Sequence, residues 1–429
     1  MKVIHFSAMD NGGAGIAAVR YHKLMQEMGI DSVLYVRKKT TSDESIKKLS
    51  LSPRQKIKSM KRITKTAIEL LLKHLIPGFA FSEKTKSMFC YYNFSECDEN
   101  GIIPNIVSQV DCKSVDFIFI HWLGGFINSY DIKNLYDATG AKIFFSMMDL
   151  EPITGGCHYP WTCEKYKTNC LDCPALPCTN NIISHNQLMA KAANYSYLNA
   201  DIFSSALYDL EFAKKSIIRF KNYRQLYYPI DENIFCPNKD VSCSEEKNEI
   251  TLFANVNSVD DPRKGFNYLL VILLNLDRRL TKKIRFLCLS NKKYQGYKFK
   301  NIRFEEFEFC KNVNDLVFLY RQTDIFLCAS IEDSAPMMLQ EALLCGVPAI
   351  TFDVGVGKQF IEEGKQGFVV PRYDIMSFAE KLFTMIESPP ASIQSAEEIH
   401  EHMVSLCGKE KVKEELANIL NIDDNTTAR

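Results

Sequence analysis

Two carboxylates, Asp333 and Glu341, flank the start of an apolar helical stretch in SIEDSAPMMLQEALLCG, residues 330 to 346. The next residues, VPAITFDVG, read as a strand, which puts the pair at a junction between apolar elements. Ser334 is expected to cap the helix, Pro336 fits its first turn, and Gly346 can end it in the left-handed region. Unpaired N–H groups at a helix start favour phosphate, and neighbouring carboxylates accept hydrogen bonds from sugar hydroxyls. A ligand with both groups suits this place.

Further candidates lie at other strand ends. Arg263 and Lys264, in DDPRKG, come after one apolar run and before the helix expected from Phe266 to Leu276. Two cations there can neutralise a diphosphate, although adjacent Arg-Lys pairs are more often plain surface charge. Gly12, Gly13 and Gly15 follow the first strand and let a ligand approach the backbone closely. They lack the G-x-G-x-x-G spacing and the acidic partner of a dinucleotide site, so a tight turn without a ligand is an equal reading. His121 and Asp149 end consecutive strands, and each can orient an acceptor hydroxyl; a histidine beside Trp122 is more often structural.

Cys157, Cys163, Cys170 and Cys173 form C-x5-C-x6-C-x2-C, with His158 interleaved and Cys178 just beyond. Four soft ligands so close together point to a structural zinc, with an iron–sulfur cluster and plain thiols left open. The segment has little apolar sequence with which to order itself, so a metal staple would serve it.

Positioning these residues requires two α/β halves. Val3 to Phe6, Ser32 to Val36, Phe117 to Ile120, Ile143 to Ser146 and Ile202 to Ser205 are apolar runs separated by helix-length segments, the first helix being expected from Ile16 to Met28. A second series follows the polar stretch Pro237 to Asn248: Ile250 to Ala254, Ile284 to Leu289, Asp324 to Cys328, Pro348 to Phe352 and Gly367 to Val370. Such alternation means parallel sheets covered by helices. The expected organisation is a Rossmann-like domain over 1–238 with a cysteine-rich insert at 154–178, a second domain over 249–395, and a C-terminal helix at 396–429 returning to the first. Ligands of these sheets bind at the carboxyl ends of strands, so a cleft between the domains is the expected site.

Composition narrows the partners. Of 429 residues, 46% are apolar, which is ample for packed cores, and 52 basic residues balance 52 acidic ones. No global field then draws the chain to nucleic acid. The N-terminus does not read as a signal peptide, and no run reaches the roughly 18 apolar residues of a membrane span. The expectation is a cytoplasmic protein whose 15 cysteines are mostly free thiols. Residues 54–76 carry Arg54, Lys56, Lys58, Lys61, Arg62 and Lys65 before an apolar stretch, read either as a basic amphipathic helix on anionic lipid or as a solvated helix.

The order of RKG, SIEDSAPMMLQEALLCGVPAITFDVG and EEGKQGFVVPRYD resembles the donor half of retaining glycosyltransferases of family 4, which have the GT-B fold of two Rossmann-like domains facing a central cleft. YPIDENIFCP at 228–237 is similar to that family's N-G-I-D-x-x-x-F-x-P motif. HWLGGF at 121–126 and TGGCHYPWTCEKYKTNCLDCP at 154–174 resemble a subgroup of bacterial capsule, exopolysaccharide and O-antigen assembly. The resemblance implies a nucleotide-sugar donor such as a UDP- or GDP-sugar, a glycan or lipid-linked saccharide acceptor, and no metal for catalysis. Lys264 and Arg263 would bind the diphosphate, Asp333 the sugar hydroxyls and Glu341 the ribose. Ser334, Ala335, Pro336, Met337 and Met338 would face the donor through their backbone, and Gly12, Gly13 and Gly15 would line the acceptor side. The chain departs from the family pattern in three places: Asp333 stands for Glu with Glu332 beside it, Met148 stands for the His before Asp149, and the family's earlier arginine is absent unless Arg263 replaces it. A nucleotide-sugar epimerase or hydrolase, and a non-catalytic glycan- or nucleotide-binding relative, are the competing functions.

Overall fold

The computed structural model describes all residues except 52–90, 177–180, 239–248, 258, 291–293, 295, 308–309, 311 and 423–429. The basic segment at 54–76 and Cys178 lie outside the described residues. The chain divides into two compact units: Met1–Ser204 with Asp209–Gln225, and Ser205–Tyr208 with Leu226–Arg429.

The first unit is built on seven strands: β1 (Lys2–Met9), β2 (Asp31–Lys38), β3 (Ile46–Lys48), β4 (Phe117–Ile120), β5 (Lys142–Ser146), β6 (Ala200–Ser204) and β7 (Tyr223–Gln225). Their order is β3-β2-β1-β4-β5-β6-β7, and every pairing is parallel. The chain winds outward one way from β1 and the other way from β4, so the loops after these two strands flank the point where the order reverses. Ile4, Phe6, Ile118, Ile120, Ile143 and Phe145 form one continuous buried layer, which is why β1, β4 and β5 read as unbroken apolar runs.

The second unit has six strands: β8 (Glu249–Asn257), β9 (Lys283–Ser290), β10 (Ile302–Phe307), β11 (Ile325–Cys328), β12 (Ala349–Phe352) and β13 (Gly367–Val370). The order β10-β9-β8-β11-β12-β13 is again wholly parallel and reverses between β8 and β11. The loops after β8 and β11 carry Lys264 and Asp333.

Leu226 onward belongs to the second unit, where the Tyr228 carbonyl accepts from Gln340 Nε2 at 3.0 Å and Arg321 Nε donates to the Cys236 carbonyl at 2.9 Å. The helix Ala396–Cys407 packs on the helix Met337–Leu344, with His400 Nδ1 2.5 Å from the Leu344 carbonyl oxygen, and Lys409 pairs with Asp231 at 2.8 Å. Buried Ile399, Met403 and Cys407 give that helix an apolar stripe.

Candidate active site

The loop after β8 is shaped by a single turn, Pro262–Lys264, whose Asp261 side chain accepts from the Arg263 amide at 3.1 Å. Gly265 ends the turn at φ 68, and a Cβ there would lie 1.7 Å from the Ala329 carbonyl oxygen. Only glycine lets this loop abut the loop after β11, and the Ile331 amide then bonds the Arg263 carbonyl at 2.7 Å. The result is contact between the two charged loops: Lys264 Nζ lies 2.5 Å from Asp333 Oδ2, with both side chains 12% exposed.

Arg263 is drawn into its own loop. Arg263 is 7% exposed and its guanidinium donates to Asp261 at 2.7 Å, so it braces the loop while Lys264 alone of the pair reaches Asp333. Glu332 also points away from Lys264 chemistry, accepting from Arg372 at 2.9 Å. Burial pushes the Glu332 carboxyl above its ordinary range, and Arg372 only partly offsets it. Sequence reasoning passed over Arg372, although it follows β13 by two positions, the strand-end signal that found Lys264.

Helix Met337–Leu344 starts later than Ser334 would place it. Pro336 occupies the N-cap, no side chain caps the first turn, and Ser334 is buried, so the expected serine cap is corrected. Pro336 is buried, while Ala335, Met337 and Met338 are half-buried. Glu341 is 4% exposed and accepts from Tyr320 Oη at 3.1 Å, while the same hydroxyl lies 3.2 Å from the Met338 carbonyl. Gly346 ends the helix region at φ 76, as its type requires.

In the first unit the glycines do not form a separate turn. Helix Gly12–Glu27 begins at Gly12, so Gly12, Gly13 and Gly15 make up its first turn, and Asn11 at the N-cap makes no side-chain bond to it. A Cβ on Gly15 would sit 2.7 Å from the Met9 carbonyl oxygen, which accounts for a glycine there without a ligand.

His121 is a core residue. It is 2% exposed, its Nε2 lies 3.0 Å from His5 Nδ1, and its ring stacks on His5 and Tyr21. Burial and the nearby His22 lower its pKa to about 3, so the ring is neutral and shut off from solvent. Asp149, 4% exposed, instead gathers three donors: His158 Nδ1 at 2.6 Å, Trp122 Nε1 at 3.0 Å and the Glu151 amide at 2.8 Å. Burial works to lower the His158 pKa, but the charge and hydrogen bond of Asp149 outweigh it and hold it above the ordinary value.

Cys157, Cys170 and Cys173 are buried free thiols and Cys163 is half-buried, and among the described residues no group of three or more His, Cys, Asp or Glu side chains is placed to hold an ion. Burial pushes the Cys170 thiol up to about 11 and Cys157 higher still. Polar bonds from the helix Asn181–Ser196 brace the start of the segment and the loop before it. Buried Lys191 Nζ bonds Glu151 Oε1 at 2.5 Å, the Glu151 carbonyl at 2.8 Å and the Thr154 carbonyl at 3.2 Å. Ser184 donates to the Cys170 carbonyl at 2.7 Å, and Gln187 to the Gly155 carbonyl at 2.7 Å.

Residues 242–403 match the family described as "Glycosyl transferases group 1". An uncharacterized glycosyltransferase of Haemophilus influenzae is 27% identical over 161 residues, which is 37% of this chain and 45% of that protein. The chain thus spans less than half the length of that relative. Sucrose-phosphate synthase from Thermosynechococcus elongatus matches at a TM-score of 0.64 with 12% identity, covering 98% of each chain. The Anabaena protein Alr3699/HepE, solved in complex with UDP, matches at 0.63 with 12% identity, covering 98% of this chain and 100% of that one. These likenesses give the fold: two Rossmann-like α/β units of the GT-B type, the second containing a glycosyltransferase group 1 domain.

Proposed function

We propose that this chain is a retaining glycosyltransferase of family 4 that moves a sugar from a nucleotide-diphosphate sugar to a glycan acceptor. The observation that carries the reading is the Lys264–Asp333 pair, formed by the two loops that flank the reversal point of the second sheet. A cation and a carboxylate meeting at a strand-end crevice suit a diphosphate bonded to a hydroxyl-rich ring. Lys264 binds the diphosphate in this account, displaced from Asp333 as the donor enters. Asp333, released, accepts from sugar hydroxyls. The uncapped amides of the first turn at Met337 and Met338 add donors for phosphate oxygens. Glu341, held by Tyr320, takes the ribose hydroxyls.

In the reaction the acceptor oxygen bonds the anomeric carbon as the carbon–phosphate oxygen bond breaks, and the electron pair leaves on the diphosphate. The acceptor proton ends on that phosphate oxygen. Lys264 and the helix amides stabilise the negative charge that develops there, an electrostatic contribution that needs no reorganisation at the moment of transfer.

The acceptor is read as a lipid-linked saccharide of a bacterial surface glycan, reached from the cytoplasmic face of the membrane with help from the basic segment 54–76. The sequence of that segment and the motifs at 121–126 and 154–174 support this. Thermal unfolding with UDP, GDP and ADP tests the donor half directly, since a ligand that binds only the folded state raises the midpoint. Stabilisation by one nucleotide is expected; none from any of the three refutes the assignment.

A further inference from the structure

We propose that Arg372 is a positioning residue of the donor site: by engaging Glu332 it assigns Lys264 to Asp333 and keeps that ammonium available to a diphosphate. The pairing rests on the geometry of the second unit alone; its consequence for a donor rests on the glycosyl-transfer reading. Glu332 and Asp333 are adjacent in the loop after β11, yet each meets a different cation. Arg372 Nη1 donates to Glu332 Oε2 at 2.9 Å, while Lys264 Nζ lies 2.5 Å from Asp333 Oδ2. Lys264 comes from the loop after β8 and Arg372 from the loop after β13, and the order β8-β11-β12-β13 sets the two carboxylates between them.

The turn that carries Arg372 has an unusual residue at its corner. The Asp374 amide donates to the Pro371 carbonyl at 3.0 Å, which closes Pro371–Asp374 into a turn, and Tyr373 at its third position has φ 70. A turn with positive φ at that position suits glycine or asparagine, so a tyrosine there stores backbone strain that the surroundings must hold. Asp374 caps the helix Ile375–Glu387 by accepting from the Ser377 amide at 2.9 Å, and the Tyr373 ring meets Tyr268 edge-on at 5.9 Å. Arg372 therefore leaves the turn on a fixed path, its guanidinium 6.0 Å from the Tyr208 ring centroid.

Burial makes this guanidinium necessary. The Glu332 side chain is 4% exposed and that of Arg372 is 25% exposed. A carboxylate so buried requires a cation or a proton. Burial raises the Glu332 pKa, Arg372 lowers it, and the charge of neighbouring Asp333 raises it again; Arg263 also acts on it but is engaged with Asp261 at 2.7 Å. Without Arg372, the cation at hand is Lys264, which already reaches the adjacent carboxylate. Two carboxylates would then share one ammonium, hold it more tightly than Asp333 does, and set an extra negative charge near the incoming diphosphate. With Arg372 in place the four groups sum to zero charge, and Lys264 has one carboxylate to leave instead of two.

Two measurements on the full chain test this. The first is the Lys264–Asp333 coupling, from urea double-mutant cycles of Lys264→Ala and Asp333→Asn. It is expected to fall by about half or more in an Arg372→Met background and to return when Glu332→Gln is added. The second is calorimetry with UDP, expected to show about tenfold weaker binding in Arg372→Met and recovery to within about threefold of the unaltered chain in Arg372→Met, Glu332→Gln. Should Arg372→Met not fold, Arg372→Gln, whose amide can still donate to Glu332, carries both comparisons. A guanidinium that served stability alone would lower the unfolding midpoint and leave coupling and affinity unaltered, and one that itself bound phosphate would leave the double variant as weak as the single; either result overturns the proposal. Absence of UDP binding by the unaltered chain defeats the donor assignment, and the coupling cycles then decide the pairing by themselves.

Discussion

Lys264→Ala removes one partner of the ion pair that links the two charged loops of the second unit. The contact is 2.5 Å and each side chain is 12% exposed, so neither charge is fully solvated nor fully buried. At an effective dielectric of about 20, two unit charges roughly 4 Å apart attract by about 4 kcal/mol. Desolvation and side-chain ordering cancel much of that, which leaves a net coupling of about 1–2 kcal/mol, between exposed pairs and fully buried ones. A double-mutant cycle of Lys264→Ala and Asp333→Asn, read by urea unfolding, measures this coupling without counting the other contacts of either residue. UDP binding by calorimetry gives the second half of the test. Lys264→Ala is expected to weaken UDP by about tenfold or more, worth ~1.4 kcal/mol. Asp333→Asn, which frees the ammonium, is expected to leave UDP binding unchanged or tighter. A coupling below about 0.3 kcal/mol together with unaltered UDP affinity in Lys264→Ala refutes the reasoning.

Other sites yield sharp outcomes. Burial raises the Glu96 pKa from 4.5 to about 7, so between these values the folded state keeps a proton that the unfolded state releases. Its contribution is fully present below the unfolded pKa and is lost as pH rises toward 7, by up to about 3 kcal/mol; Glu96→Gln should flatten the stability profile across that window, and an unchanged slope contradicts the assignment. Lys191→Met leaves Glu151 buried without its cation and should cost about 3–5 kcal/mol by urea unfolding, with part of the loss recovered in the double variant Lys191→Met, Glu151→Gln. Gly265→Ala forces a side chain into the left-handed region and against the Ala329 carbonyl, so a loss of about 2–4 kcal/mol and impaired UDP binding are expected; a neutral result means that the two loops do not meet as described.

The central strands were legible because burial on both faces writes a plain apolar run, as in Phe117–Ile120 and Ile325–Cys328. β3 and β7 escaped notice. Ile46–Lys48 and Tyr223–Gln225 are three-residue edge strands whose polar side chains carry no such run. Half-exposed β10, with its adjacent Glu305 and Glu306, was hidden for the same reason. Within the candidate site, strand-end logic located Lys264, Asp333 and Asp149 but could not say what each would touch. Arg263 and Lys264 are neighbours in sequence, yet one turn sends the first to Asp261 and the second to Asp333. The Asp149–His158 pair depends on a loop path that no periodicity encodes, and His121 looked accessible because burial by His5 and Tyr21 is a tertiary fact. The bracing of the cysteine segment was hidden too, since Lys191, on a helix beyond the segment, holds Glu151 and Thr154 in place.

The most direct test of the central claim is nucleotide release from a panel of UDP-, GDP- and ADP-sugars by the full chain and by its Lys264→Ala and Glu341→Ala variants. Slow turnover of sugars on one nucleotide, lost in Lys264→Ala and strongly reduced in Glu341→Ala, is the predicted result. Turnover that survives both substitutions unchanged, or no turnover or binding of any donor by the unaltered chain, contradicts the account.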